Sequence, residues 1–254
     1  MTDNTSLPAE IDVEAELERI ARRYKKAGGV GITVLNMIGG QAENLLDRLP
    51  AGVRRQLETA TVRALEHAMN AAHTSRARVP DQSSWLNSAV SVAMGAAGGA
   101  GGLPTALAEL PVTTTLLLRV IEGVAAEHGF DTEAESVRFD CVRVFSAAGP
   151  LTDDDGSDLA FLTARLALSG KAVQAIVHKV APRLAVVMGQ KLAAQTVPVL
   201  GAIAGAATNY AYTSYYEDMA HVHFGLRKLA IDADIRPEEL NKRLAVKMKQ
   251  LTSV

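Results

Sequence analysis

Residues 192–216 read LAAQTVPVLGAIAGAATNYAYTSYY, twenty-five positions without a formal charge, and residues 220–231 extend the same pattern with AHVHFGLRKLAI. A run of this length could span a bilayer, which needs about 20 apolar residues. Its content argues otherwise, because Ala, Gly, Ser, Thr, Asn and Gln outnumber Leu, Ile and Phe, and such a segment is a poor stop-transfer signal. The expected state is a close-packed helix inside a protein core, with shallow or conditional bilayer insertion as the alternative. Gly201 and Gly205 are four residues apart, a spacing that lets helix backbones approach closely in membranes and in tightly packed soluble helices alike.

A second run has the same character. Residues 82–118 hold one ionisable side chain, Glu109, and residues 94–111 read MGAAGGAGGLPTALAELP. Each glycine in a helix interior costs roughly 1 kcal/mol relative to alanine, so this density of glycine predicts a helical hairpin or a backbone contact too close for side chains. Pro104 suits the first turn of the following helix. Pro111 should kink that helix, which runs to about His128 and ends on Gly129.

The rest of the chain supports an all-α fold: a single multi-helix domain with Gly- and Ala-rich helical hairpins. In 254 residues, 48% hydrophobic content fills a core without disulfide or zinc staples, and 4% aromatic content with abundant alanine favours helix over sheet. Residues 1–10 read as a disordered tail and 11–254 as the helical domain. From Asp12 the residues Val13, Leu17, Ile20 and Tyr24 recur at helical spacing, giving a short helix with a basic end at Arg22, Arg23, Lys25 and Lys26. Further helices are expected at 51–74, 131–148, 159–190 and from Arg236-Pro237 onward, the last with Leu240, Leu244, Met248 and Leu251 on one face and Lys242, Arg243, Lys247 and Lys249 on the other.

Several functions are disfavoured. The net charge of −2 and sparse aromatics give no surface for nucleic acid. One cysteine, Cys141, cannot form an internal disulfide, and residues 1–18 lack the basic and apolar regions of a signal peptide, so a cytoplasmic location is expected. G-x-S-x-G, the P-loop and H-E-x-x-H are absent, and no cofactor is expected. Asp218 and His221, one turn apart, with Glu217 and His223 nearby, resemble a metal cluster only in part, and an ordinary helix surface is the simpler reading. The acids at 153–158 lack the alternation of a calcium loop and read as helix caps.

Charges in apolar helices carry more information. Glu109, Arg119 and Glu122 require partners, because an unpaired buried ion is costly, and Arg119 can pair with Glu122 along one helix. The basic residues Arg22, Arg23, Lys25 and Lys26 read either as a solvated face complementing the helix dipole or as contacts to anionic headgroups.

The stretches GGAGGLPTALAELPVTTTLLLRVIEGVAAEHGFD at 98–131 and PVLGAIAGAATNYAYTSYYEDMAHVHFGLRKL at 198–229 resemble the EcsC-like bacterial family. In the first, a glycine-rich turn leads to Glu109, Leu110, Pro111 and Arg119 and exits at Gly129, Phe130 and Asp131. In the second, the family's Pro-x-x-Gly and Asn correspond to Pro198, Gly201 and Asn209. The resemblance implies an α-helical, membrane-linked protein on the cytoplasmic side, and it brings no catalytic residues with it. The expected function is therefore binding of lipid or of the inner membrane surface. The expected partner is an anionic membrane lipid or a membrane protein, and the alternatives are a lipid-acting hydrolase using acid and histidine groups or a scaffold for a membrane protein.

Overall fold

A computed structural model describes residues 11–38, 49–76, 111–145 and 201–252, with Val92, Ala93, Ala185 and Ala193. The glycine-rich turn, Glu109, the acids at 153–158 and the helix expected at 159–190 lie outside the described residues. All regular structure among the described residues is helical: α1 (Val13–Ile38), α2 (Ala51–Arg76), α3 (described over 111–127), α4 (Glu135–Val144), α5 (Gly201–Asp232) and α6 (Pro237–Thr252). The fold is all-α.

Local chemistry sets the ends of these helices. Asp12 caps α1: its Oδ1 accepts the Ala15 N–H at 3.0 Å and its carbonyl accepts the Glu16 N–H at 3.0 Å, while Glu14 and Glu16 sit in the positive first turn. The helix is not the short one expected with its basic end at Lys26, but continues to Ile38. A glycine weakens a helix by about 1 kcal/mol without breaking it. α2 starts where Pro50 predicts, with the Val53 N–H donating to the Pro50 carbonyl at 2.9 Å.

α3 closes on Gly129. The N–H groups of Gly129 and Phe130 return to the carbonyls of Ala126 and Ala125 at 2.9 and 3.0 Å, and Gly129 has φ +81°. This is the paired hydrogen bonding of a Schellman cap, which favours glycine at the left-handed position. α4 begins four residues later than the expected 131, because Asp131 turns the chain first: its Oδ1 accepts the Glu133 N–H at 2.9 Å and its carbonyl accepts the Ala134 N–H at 3.1 Å. α5 ends on a second Schellman cap, with Ile235 N–H on the Ala230 carbonyl and Asp234 N–H on that of Ile231, but here the left-handed residue is Asp234, at φ +52°.

α5 is the axis of the described fold. From Thr208 to Leu226 it is buried almost all round, the condition in which a helix loses its amphipathic pattern. α1 runs antiparallel along it, as the pairs Ile20 with Gly225 and Arg23 with Asp218 show. α4 is also antiparallel to it, with Phe145 against Tyr216 and Asp140 against Arg227. α6 turns back at 233–236 and packs on both α1 and α5. Tyr212, Tyr216, Phe145 and Phe224 fill the centre, joined by Leu17 from α1, Leu65 from α2 and Leu117, Leu118 and Ile121 from α3.

The glycines expected to allow a close helix approach, Gly95 to Gly102 and the pair Gly201 and Gly205, lie outside the residues whose surroundings are described. A Cβ would meet nothing within 4 Å at Gly29, Gly52 and Gly123, and at Gly225 it would make ordinary contacts with His128 and Ile20 at 3.5 and 3.7 Å. Ala211 and Ala220 of α5 are fully buried and combine small size with high helix propensity.

Candidate functional site

α4 places Asp140 and Arg143 one turn apart, and α5 places His223 and Arg227 one turn apart on the side that faces them. Asp140, 9% exposed, is the hub. Its Oδ2 accepts from Arg227 Nη1 at 2.6 Å, its Oδ1 accepts from Arg143 Nη1 at 3.4 Å, and His223 Nε2 lies 3.3 Å from Oδ1. Arg227 is held from above as well, its guanidinium carbon 4.7 Å from the centre of the Phe130 ring, and that ring packs on Phe224.

These groups line an open-mouthed cavity of about 220 Å³, completed by Leu226 and by Pro237 and Asn241 of α6. Asn241 is 8% exposed, and its Oδ1 has no hydrogen-bond partner among the described residues. Burial alone would push the Asp140 carboxyl up, but the charge and hydrogen bond of His223, then Arg227 and Arg143, outweigh it and hold the carboxyl below its ordinary value. Burial lowers the Arg143 guanidinium, Asp140 partly restores it and Arg227 opposes it. The site therefore brings two guanidinium groups and an imidazole to one carboxylate.

A second polar cluster joins α1, α3 and α5. His128 Nε2 and His221 Nδ1 are 3.1 Å apart, and Glu127 Oε2 lies 3.8 Å from His221 Nε2. Burial first, then Arg23, His128 and Arg19, push His221 down to about 3. Burial and the same two arginines also lower His128.

The residues singled out from the sequence separate in the structure. Arg22 is exposed and pairs with Glu18 at 2.5 Å, whereas Arg23 turns inward to Asp218 of α5 at 2.7 Å. Lys25 donates to the Leu251 carbonyl at 2.5 Å, at the negative end of α6, and Lys26 is exposed, 3.9 Å from Asp218 Oδ2. Arg119 is half-buried on α3, Glu122 is buried, and Asn209 is buried within α5. The suggested metal cluster comes apart: Asp218 serves Arg23, His221 serves His128 and His223 serves Asp140. Among the described residues no group of three His, Cys, Asp or Glu could hold a metal ion.

Asp140, Arg143, Arg227 and Asn241 were not among the expected site residues. A signal for two of them was present: VRFDCVRVF at 137–145 embeds Asp140 and Arg143 in an apolar helix, the same anomaly that drew attention to Glu109 and Arg119. Asn241 carries no such mark, because its burial depends on how α6 returns.

Neither a curated protein nor a solved structure matches the chain. The model of the EcsC protein family matches residues 34–229, a stretch that contains Asp140, Arg143, His223 and Arg227 and stops before α6. With the match extending over most of its 254 residues, the chain belongs to the EcsC protein family.

Proposed function

We propose that the protein binds the anionic inner surface of the cell membrane through α1 and α6, lying on the bilayer without crossing it. One observation carries this reading. Residues 19–26 and 242–249 hold nine basic side chains and no acidic one, and they belong to two helices that pack together. Among the described residues, carboxylates that answer part of that charge include Glu16 on Arg19, Glu18 on Arg22, Asp218 on Arg23 and Lys26, and Glu14 on Arg243 and Lys247. The surplus is positive, and Arg22, Lys25, Lys26, Lys242 and Lys249 are exposed. A basic residue near an anionic surface contributes about 1 kcal/mol, so attachment through this face is worth about 5 kcal/mol at most, reversible and sensitive to salt. Among the described residues no helix is long and apolar enough to cross a membrane, which agrees with surface attachment.

Vesicle flotation tests the reading. The protein should float with phosphatidylcholine vesicles that contain phosphatidylglycerol, remain behind with phosphatidylcholine alone, and be released by salt. Arg22→Ala/Lys25→Ala/Lys26→Ala should weaken binding by about tenfold to a hundredfold, with Arg23 left in place because it holds α1 to α5. Equal flotation with neutral and anionic vesicles, or no effect of the triple substitution, contradicts it. Capture of a membrane protein without affinity for lipid would favour the scaffold reading.

A further inference from the structure

We infer that the cavity between α4, α5 and the start of α6 binds a small neutral polyol, with one hydroxyl group held between Asn241 and Arg227. An unmet acceptor comes first. Asn241 lines the cavity, is 8% exposed, and its Oδ1 has no hydrogen-bond partner among the described residues. A buried oxygen in that state costs free energy, which a ligand that donates a hydrogen bond recovers. The second observation is a donor with capacity to spare. Among the described residues Arg227 donates from Nη1 to Asp140 Oδ2, and 30% of its side chain stays exposed. A guanidinium carries five N–H groups, and the Phe130 ring, 4.7 Å from the guanidinium carbon, holds the plane of this one.

These two needs select the chemistry of the ligand. An ionised phosphate or carboxylate offers acceptors only and leaves the Asn241 oxygen unmet. An ammonium group offers donors only, and it would stand beside the guanidinium groups of Arg143 and Arg227 in the same cavity. A hydroxyl group has one donor and two acceptor lone pairs, so a single oxygen can donate to Asn241 Oδ1 and accept from Arg227. Leu226 and Pro237 supply apolar wall for the carbon skeleton that carries it. Size narrows the class further. About 220 Å³ is several times the roughly 30 Å³ share of one water, yet below the 300–1,000 Å³ typical of sites for drug-sized ligands. The cavity therefore suits a molecule between glycerol and a six-carbon polyol, and the same glycerol group occurs free in solution and as the headgroup of phosphatidylglycerol.

The test uses the full chain. Saturation-transfer NMR titrations follow glycerol and sorbitol, with inorganic phosphate and methylammonium as the charged counterparts, and flotation compares phosphatidylcholine vesicles carrying phosphatidylglycerol with vesicles carrying phosphatidic acid at equal surface charge. Saturable binding of a free polyol, tighter than that of phosphate or methylammonium, supports the inference and identifies a soluble source. A preference for phosphatidylglycerol over phosphatidic acid supports it and identifies a lipid source. Either result must weaken in the cavity variants. Asn241→Leu removes the acceptor and fills the space, whereas Arg227→Lys keeps the charge beside Asp140 and loses the remaining N–H groups of the guanidinium. Each should keep wild-type circular dichroism and bind about tenfold to a hundredfold more weakly. If Asn241→Leu does not fold, Arg227→Lys decides alone. The inference is overturned by the absence of both polyol binding and a phosphatidylglycerol preference, by phosphate or methylammonium binding as tightly as the polyols, or by unchanged affinity in the folded variants.

Discussion

Asp234 stands at the one described non-glycine position with positive φ, at the left-handed turn that closes α5 and aims α6 back toward α1. Aspartate tolerates this conformation better than most residues, yet still less well than glycine. Asp234→Gly should therefore raise the free energy of unfolding by about 0.5–1 kcal/mol, while Asp234→Val should lower it by a larger amount. Urea unfolding of the two variants measures the difference, and a destabilised glycine variant would mean that the aspartate side chain has a role in the turn that outweighs backbone strain. The same scale shows why a run of basic residues resisted reading. In RRYKK at 22–26 the sequence presents one cluster, but the helical period turns Ala21, Tyr24 and Ala27 into the core, leaves Arg23 at its edge against Asp218, and exposes Arg22, Lys25 and Lys26.

Between elements, the junction of α1, α3 and α5 carries a dependence on pH. His221 is held at about 3 against an ordinary 6.5, and His128 is lowered with it. The groups around the pair are Arg19, Arg23 and Glu16 of α1, Glu127 of α3 and Lys228 of α5, in which cations prevail. A histidine whose folded value is depressed stabilises the fold above its unfolded value and loses that stability as the pH falls. Lowering the pH from 7 to 5 should thus cost about 1 kcal/mol through this pair, after allowance for solvent screening of a half-buried site. The lowered Asp140 carboxyl loses its contribution only below its ordinary value of 3.8, outside that window. His221→Gln should show a smaller loss over the same range in urea titrations, and an equal loss would place the sensitivity elsewhere.

Element ends were the most legible part of the chain where one residue controls them. Pro50, Gly129 and Pro237 each mark a boundary that the structure keeps, because ring geometry or a left-handed φ admits few substitutes. The reach of α1 to Ile38 was not legible, since glycine only tilts the balance of a helix that continues to gain hydrogen bonds. Nor was the Asp140 site, whose members come from three helices separated by up to 101 positions in sequence. Its charges were visible, but their meeting depends on α4 and α6 both folding back on α5.

For the molecule as a whole, the long uncharged segment at 192–216 has two possible neighbours, protein and lipid. From Thr208 onward its described part is surrounded by the helices of its own chain. The basic segments 19–26 and 242–249 lie outside the stretch matched by the family model, so the proposed membrane face belongs to the flanks of this chain and not to the matched core. The proposal thus divides the molecule into a buried α5 that stays in protein and basic segments of α1 and α6 that would meet the bilayer. Hydrogen exchange with and without phosphatidylglycerol vesicles tests that division directly. Protection should rise in 19–26 and 242–249 while 208–226 stays unchanged. Exchange in 208–226 that responds to lipid while the basic segments remain indifferent would contradict the account.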